Sequence, residues 1–393
     1  MVQPKLRFPE FTNEWEGAPF GTYLTEVKDK TKEENETTLL SSAIEGMFLN
    51  SELFGHQRGS SNIGYKKIKK GMLILSAQNL HLGNANVNLR FEEGMVSPAY
   101  NTYNIHDCDT EFMAHWIKRD ATNTFFYNAT TVGASVCRRN VDWKMLYAST
   151  VYFPSMEEQK KIAAFLSTID EKIALQKKLV DEYKTQKKGL MQKLFDKELQ
   201  FSKPDGTTFP EWKYKPLGEA CQINPRSKNL PDEFYYIDLG SVNSGVWVER
   251  KIVQKSEAPS RAQRLLAHND ILFQTVRPYL QNNYMCLEEM DLPMVGSTGF
   301  AQIKCKENNP QYIFQLIHSN SFMAEVNIRC TGTGYPAINA DGLSEIIIPI
   351  PSIEEQAKIA EFLSLLDEKI IIEAKILEDW VQLKKALLQQ MFV

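Results

Sequence analysis

The sequence predicts an α+β protein in which two repeated mixed α/β globular blocks are separated by an antiparallel coiled coil of two long helices, with pseudo-two-fold, circular organisation. Three observations predict it. PSMEEQKKIAAFL, from Pro154, returns as PSIEEQAKIAEFL from Pro351, and residues 154–195 align with 351–392 without a gap, half of the 42 positions being identical. Inside both copies apolar residues recur every three or four positions, the period of a helix seam. Leu199-Gln200-Phe201, after the first copy, answers Leu6-Arg7-Phe8 at the start of the chain, so the stretch expected after the second copy stands at the beginning.

The elements follow in order as a first block over 1–153, a long helix over 154–197, a second block over 198–350 and a second long helix over 351–393. Trp15, Pro19 and Gly21 pair with Trp212, Pro216 and Gly218 at the same offset of 197, which carries the repeat into the blocks. Each helix start carries a capping box, Ser155 with Glu158 and Ser352 with Glu355, behind a proline that stops backward propagation. The predicted seam is Ile162, Leu166, Ile169, Ile173, Val180 and Tyr183 in the first helix, and Ile359, Leu363, Leu366, Ile370, Leu377 and Trp380 in the second. Polar residues interrupt it at Gln176 and Glu373, and at Lys187 and Lys384. They either fix register or lay long stems along the seam with their heads in water. At about 1.5 Å per residue each helix is roughly 60 Å long.

Composition bounds the function. No run of about 18 apolar residues is present, so a membrane span is not expected. MVQPKLRFPEF lacks a secretory pattern, and six cysteines stand without a C-x-x-C pair, so the expected compartment is the cytoplasm, with thiols reduced and no metal site. A net charge of −4 argues against a protein that coats nucleic acid non-specifically.

The P-S-x-E-E-Q-x-K-I-A-x-F-L-S-x-x-D-E-K-I stretch, twice in one chain and each time after a variable block, resembles the specificity subunit of type I restriction-modification systems. The resemblance implies that the blocks are target recognition domains 1 and 2, each reading one half of a bipartite site on double-stranded DNA. The helix pair would set the gap and dock two methyltransferase (modification) subunits, and two motor-nuclease (restriction) subunits would complete the complex. It implies no catalytic residue and no cofactor in this chain, with S-adenosylmethionine, ATP and Mg2+ used by the partners. The alternative is a non-enzymatic coiled-coil scaffold that joins protein partners without reading bases.

Candidate DNA-binding residues then follow from chemistry. Gly71–Ser76 and Asn269–Gln274 match as short apolar runs suited to buried strands. Gln78, Asn79 and His81 follow the first; Gln274, Thr275, Arg277, Tyr279 and Gln281 end and follow the second. Asn and Gln pair bidentately with adenine and Arg with guanine, whereas the other reading is an ordinary polar loop. Lys66, Lys67, Lys69 and Lys70, with Arg138 and Arg139, are the densest positive features and are expected on phosphates, or on a solvated surface.

Enzyme motifs are missing. The chain has no [DNS]-P-P-[YFW] loop for a flipped base and no G-x-x-x-x-G-K-[ST] phosphate loop. Pro204-Asp205 with Glu211-Trp212-Lys213 imitates a nuclease metal site, but Pro-Asp-Gly is turn chemistry and the spacing leaves little room for a hairpin.

Overall fold

The computed structural model describes residues 2–54, 61–135, 138–226 and 229–393, and of residues 132–138 at most the backbone. It divides into two compact units, Met1–Lys178 with Ala374–Val393, and Leu179–Glu373. Each unit therefore takes one globular block and a stretch of both long helices, Met156–Phe195 and Ile353–Gln390.

Within each unit the two helix stretches run antiparallel. In the second unit Lys369 lies over the Tyr183 ring, Lys187 reaches Asp367, and Met191 and Leu194 share a core with Ile359 and Leu363. In the first unit Lys384 pairs with Asp170, while Ile162 and Leu166 share a core with Leu387 and Met391. Ile162, Leu166, Ile169, Val180, Ile359 and Leu363 are buried; Ile173, Tyr183, Leu366, Ile370, Leu377 and Trp380 are half-buried. The lysine positions carry ion pairs rather than free heads in water. Lys187 donates to both Asp367 oxygens at 2.6 and 2.7 Å.

Block helices join these pairs. Gln315 donates to Asp367 at 2.8 Å. At the corresponding place in the first unit stands His115, 3.2 Å from the Ser167 hydroxyl and 3.8 Å from Asp170. Burial, with Lys384 nearby, pushes the His115 pKa down to about 4.

Only half of each capping box forms. Ser155 and Ser352 accept from the amides of Glu158 and Glu355 at 3.4 and 3.3 Å, but the glutamate side chains turn elsewhere. Glu158 takes a two-pronged grip from Arg7 at 2.7 and 2.8 Å, and Glu355 accepts from the Trp212 indole at 2.9 Å. The next residue does more than the pattern suggested. Buried Gln159 donates to the Pro154 carbonyl and accepts from the Asp109 amide, both at 2.9 Å. Gln356 does the same with Pro351 and Asn309. Asp109 and Asn309 are themselves the N-caps of Thr110–Trp116 and Pro310–Leu316, so one glutamine ties the start of a long helix to the start of a block helix.

The circular order is visible locally. The Leu6 amide donates to the Gln390 carbonyl at 2.8 Å, and the Leu199 amide to the Lys193 carbonyl at 3.0 Å; Gln390 and Lys193 are equivalent across the repeat. Phe8 packs edge-on against Phe165 at 5.9 Å, as Phe201 does against Phe362 at 5.7 Å. The start of the chain thus fills in one unit the place that the segment after the first helix fills in the other.

The blocks share a topology although their sequences diverge. The first has an antiparallel sheet in the order Leu24–Glu26, Tyr100–Ile105, Leu73–Ser76, Ala85–Val87. The second has Cys221–Ile223, Phe300–Cys305, Ile271–Gln274, Tyr284–Met285 in the same order. Leu73–Ser76 and Ile271–Gln274 are buried throughout, as continuous apolar strands with packing on both faces are. A second layer in block two is ordered Lys251–Gln254, Glu233–Ile237, Met294–Ser297, Ala262–Leu266, its middle pair parallel. Block one keeps a thinner version: Leu40–Ala43 pairs Gly46–Leu49, Lys66–Lys69 pairs Glu93–Val96, and one parallel bridge, Leu39 to Met95, links them.

Candidate nucleic-acid interface

In each block a loop leaves the end of the central strand and turns back into the neighbouring strand. In block two this loop is interlocked with two others. The Arg277 amide donates to the Pro336 carbonyl at 2.7 Å, and the Ile338 amide to the Thr275 carbonyl at 3.0 Å. The Ser244 amide, in the turn between Val242–Asn243 and Val246–Trp247, donates to the Asn282 side chain at 2.9 Å. Arg277 and Gln281, on either side of the 3-10 turn Pro278–Leu280, both sit in the left-handed region at φ 53° and 52°. Residues with a Cβ occupy it at a cost of order 1 kcal/mol or more, so the surrounding bonds must hold them there.

Gln274 departs from its expected role. It is 3% exposed, its amide nitrogen donates to the Val276 carbonyl at 2.7 Å, and its amide oxygen accepts from the Asn282 amide at 3.0 Å. Both ends of the side chain are consumed inside the loop, so it shapes the loop and has no free amide for a base. Thr275 donates to the Gly299 carbonyl at 2.7 Å. Tyr279 is exposed, Gln281 half-buried, and Arg277 lies over the Tyr335 ring at 4.2 Å.

In block one Gln78 and Asn79 are exposed on the matching loop and His81 is half-buried in the turn Leu80–Leu82. Gly83 closes that turn at φ 86°, and a Cβ there would lie 2.6 Å from the Asn123 side chain, which keeps the position for glycine. The hairpin turn after Ala43 is tied in by Lys118. Its ammonium donates to the carbonyls of Ile44 and Ala85 at 2.7 and 2.9 Å and to the Asn86 side chain at 2.6 Å. Burial pushes the Lys118 pKa down to about 8, and three oxygen acceptors use all three ammonium protons.

The basic run is largely spoken for. It forms a strand whose alternation turns Lys66 and Ile68 inward. Lys66 is 8% exposed and reaches the Asn101 side chain at 3.2 Å, and burial lowers its pKa. A phosphate contact does not suit so enclosed an amine. Lys67 pairs with Glu36 and Lys70 with Glu92, while Lys69 is exposed. Arg139 donates to the Thr130 hydroxyl and carbonyl at 2.6 and 2.9 Å and stacks on Tyr127 at 4.0 Å. The Arg138 side chain lies outside the described residues. Asp205 accepts from the Thr207 amide and hydroxyl at 2.9 and 2.6 Å, the turn chemistry expected of Pro-Asp-Gly. Among the described residues no group of three or more His, Cys, Asp or Glu is arranged to hold a metal, and no helix is long and apolar enough to cross a membrane.

Sequence reasoning missed Lys118, Gln159, Gln356 and Tyr335. The two glutamines carry a signal, being identical across the repeat; Lys118 and Tyr335 carry none, because their partners are brought to them only by folding.

The model for the type I restriction modification DNA specificity domain matches twice, over residues 26–184 and 210–379. The chain is 25% identical to the type I restriction enzyme MjaVIII specificity subunit of Methanocaldococcus jannaschii, over 98% of this chain and 92% of that protein. It is 28% identical to the HindI specificity subunit of Haemophilus influenzae, over 47% of this chain and 41% of the other. Its fold resembles the crystal structure of a type I restriction-modification S subunit from M. genitalium, with a TM-score of 0.57 at 16% identity over 100% of this chain and 99% of that one. Two family matches covering most of the chain, on two units of one topology, decide the question: the chain belongs to the type I restriction-modification DNA specificity family.

Proposed function

We propose that the chain reads a bipartite, non-palindromic site on double-stranded DNA, one block per half-site, and docks two methyltransferase subunits. Two motor-nuclease subunits complete the restricting complex. Catalysis sits in those partners, with S-adenosylmethionine, ATP and Mg2+, and the target adenine is turned out of the duplex to reach the methyltransferase. The half-sites lie about one helical turn apart, since two readers approaching one face of the duplex must be so spaced.

One observation carries this reading: the same strand order presents unlike side chains at matching loop positions, Gln78, Asn79 and His81 in one block, Arg277, Tyr279 and Gln281 in the other. One frame with two sets of donors and acceptors suits two different half-sites. Exchanging residues 198–350 for the corresponding block of another specificity subunit, then mapping methylated sites, is expected to change one half-site and keep the other. An unchanged motif rejects the reading.

The net charge of −4 and the carboxylates on Lys67 and Lys70 favour a second reading, a scaffold that never meets bases. Gel shift with the methyltransferase subunits present separates the two, provided the complex is challenged at physiological salt.

A further inference from the structure

We propose that Arg277, laid on the ring of Tyr335, reads a guanine in the half-site addressed by residues 198–350; the assignment rests on the base-reading function above. Among the described residues the Arg277 guanidinium has neither a carboxylate nor a hydrogen-bond acceptor. That sets it apart from Arg7, Arg90, Arg250 and Arg329, each on a glutamate, and from Arg119 and Arg139, each on hydroxyl and carbonyl oxygens. Its Nε is buried without a partner, as is that of Arg264, but among the described residues only Arg277 of these two lies over an aromatic ring. Tyr335 is 69% exposed, so the ring is held out as a shelf rather than packed into the core.

These features suit a partner with two acceptors side by side. A guanidinium stacked on an aromatic face keeps its plane, and a closed-off Nε leaves the two terminal nitrogens as a fork. Guanine presents N7 and O6 side by side in the major groove, where arginine binds both. A phosphate also takes such a fork bidentately, and the salt dependence measured below separates it from a base. The left-handed backbone at Arg277 and Gln281, braced by Gln274, Asn282 and Pro336, aims the fork from a rigid loop instead of a mobile surface stem.

The test maps the methylated motif in cells carrying the full complex with the native chain, R277K, R277A or Y335A. The native half-site set by residues 198–350 is expected to contain a G·C pair. R277K keeps the charge but loses the fork, and preference for that guanine should fall about tenfold to a hundredfold, with every other position and the other half-site kept. Y335A should relax the same position. Should R277A fail to fold, R277K, which keeps length and charge, decides. A half-site without a G·C pair, or an unchanged motif in R277K, overturns the assignment. So does a uniform loss of affinity in R277A, read by gel shift of the complex across salt concentrations, with a salt slope reduced by about one, the signature of a phosphate contact. If exchange of the whole block changes the half-site while R277K does not, only the assignment to Arg277 fails. If the exchange itself changes nothing, the function proposed above fails.

Discussion

Replacing Leu363 with alanine is expected to destabilise the second unit by about 3–4 kcal/mol, whereas replacing Leu365 changes stability by less than about 0.5 kcal/mol. The two leucines are two residues apart on one helix. Leu363 is 0% exposed, inside a core that includes Trp212, Tyr312, Leu316, Ile359 and Leu194. Leu365 is 57% exposed. Removing the first leaves a void among residues drawn from both long helices and from the block, and neighbours held on three sides collapse into it poorly. Urea denaturation of the two variants checks this. Equal midpoints would mean that the helices and the block do not share a core.

Acidification is expected to weaken the first unit between about pH 6.5 and 4 through His115, and His115→Gln should remove that part of the pH dependence. The folded pKa of about 4 lies below the value near 6.5 of an exposed histidine. Between those values the unfolded chain binds more protons than the folded one, so stability is fully present above pH 6.5 and lost as pH falls through the window. The full effect is of order 3 kcal/mol. The substitution copies the second unit, where Gln315 holds Asp367 at 2.8 Å without titrating. Melting curves at pH 7 and 5 should draw closer together in H115Q than in the native chain. An unchanged gap would remove His115 as the source.

Most of the fold was legible because two signals are period-based and local. The seam leucines and isoleucines announce a helix by spacing alone, and Leu73-Ile74-Leu75 and Ile271-Leu272-Phe273 announce buried strands by continuous apolarity. The circular order was legible because Leu6-Arg7-Phe8 repeats Leu199-Gln200-Phe201. Side-chain direction was harder. Gln274 ends a strand, and whether it faces outward depends on Asn282, which folding brings to it. The inward turn of Lys66 follows from its alternation with Ile68 in a strand, a signal that the density of charge in YKKIKK masks. The glutamates of the expected capping boxes were diverted by Arg7 and Trp212, partners distant in sequence. Arg277 was singled out by residue type alone; the tyrosine beneath it lies 58 residues further along the chain.

The two units are one topology written twice in circular order. A circular permutant tests it most directly: the end after Gln390 joined by a short linker to the segment before Leu6, and the chain opened among the exposed residues 204–207. With the methyltransferase subunits it should melt within a few degrees of the native chain and methylate the same motif. A permutant that fails to fold, or that modifies a different site, would contradict the claim.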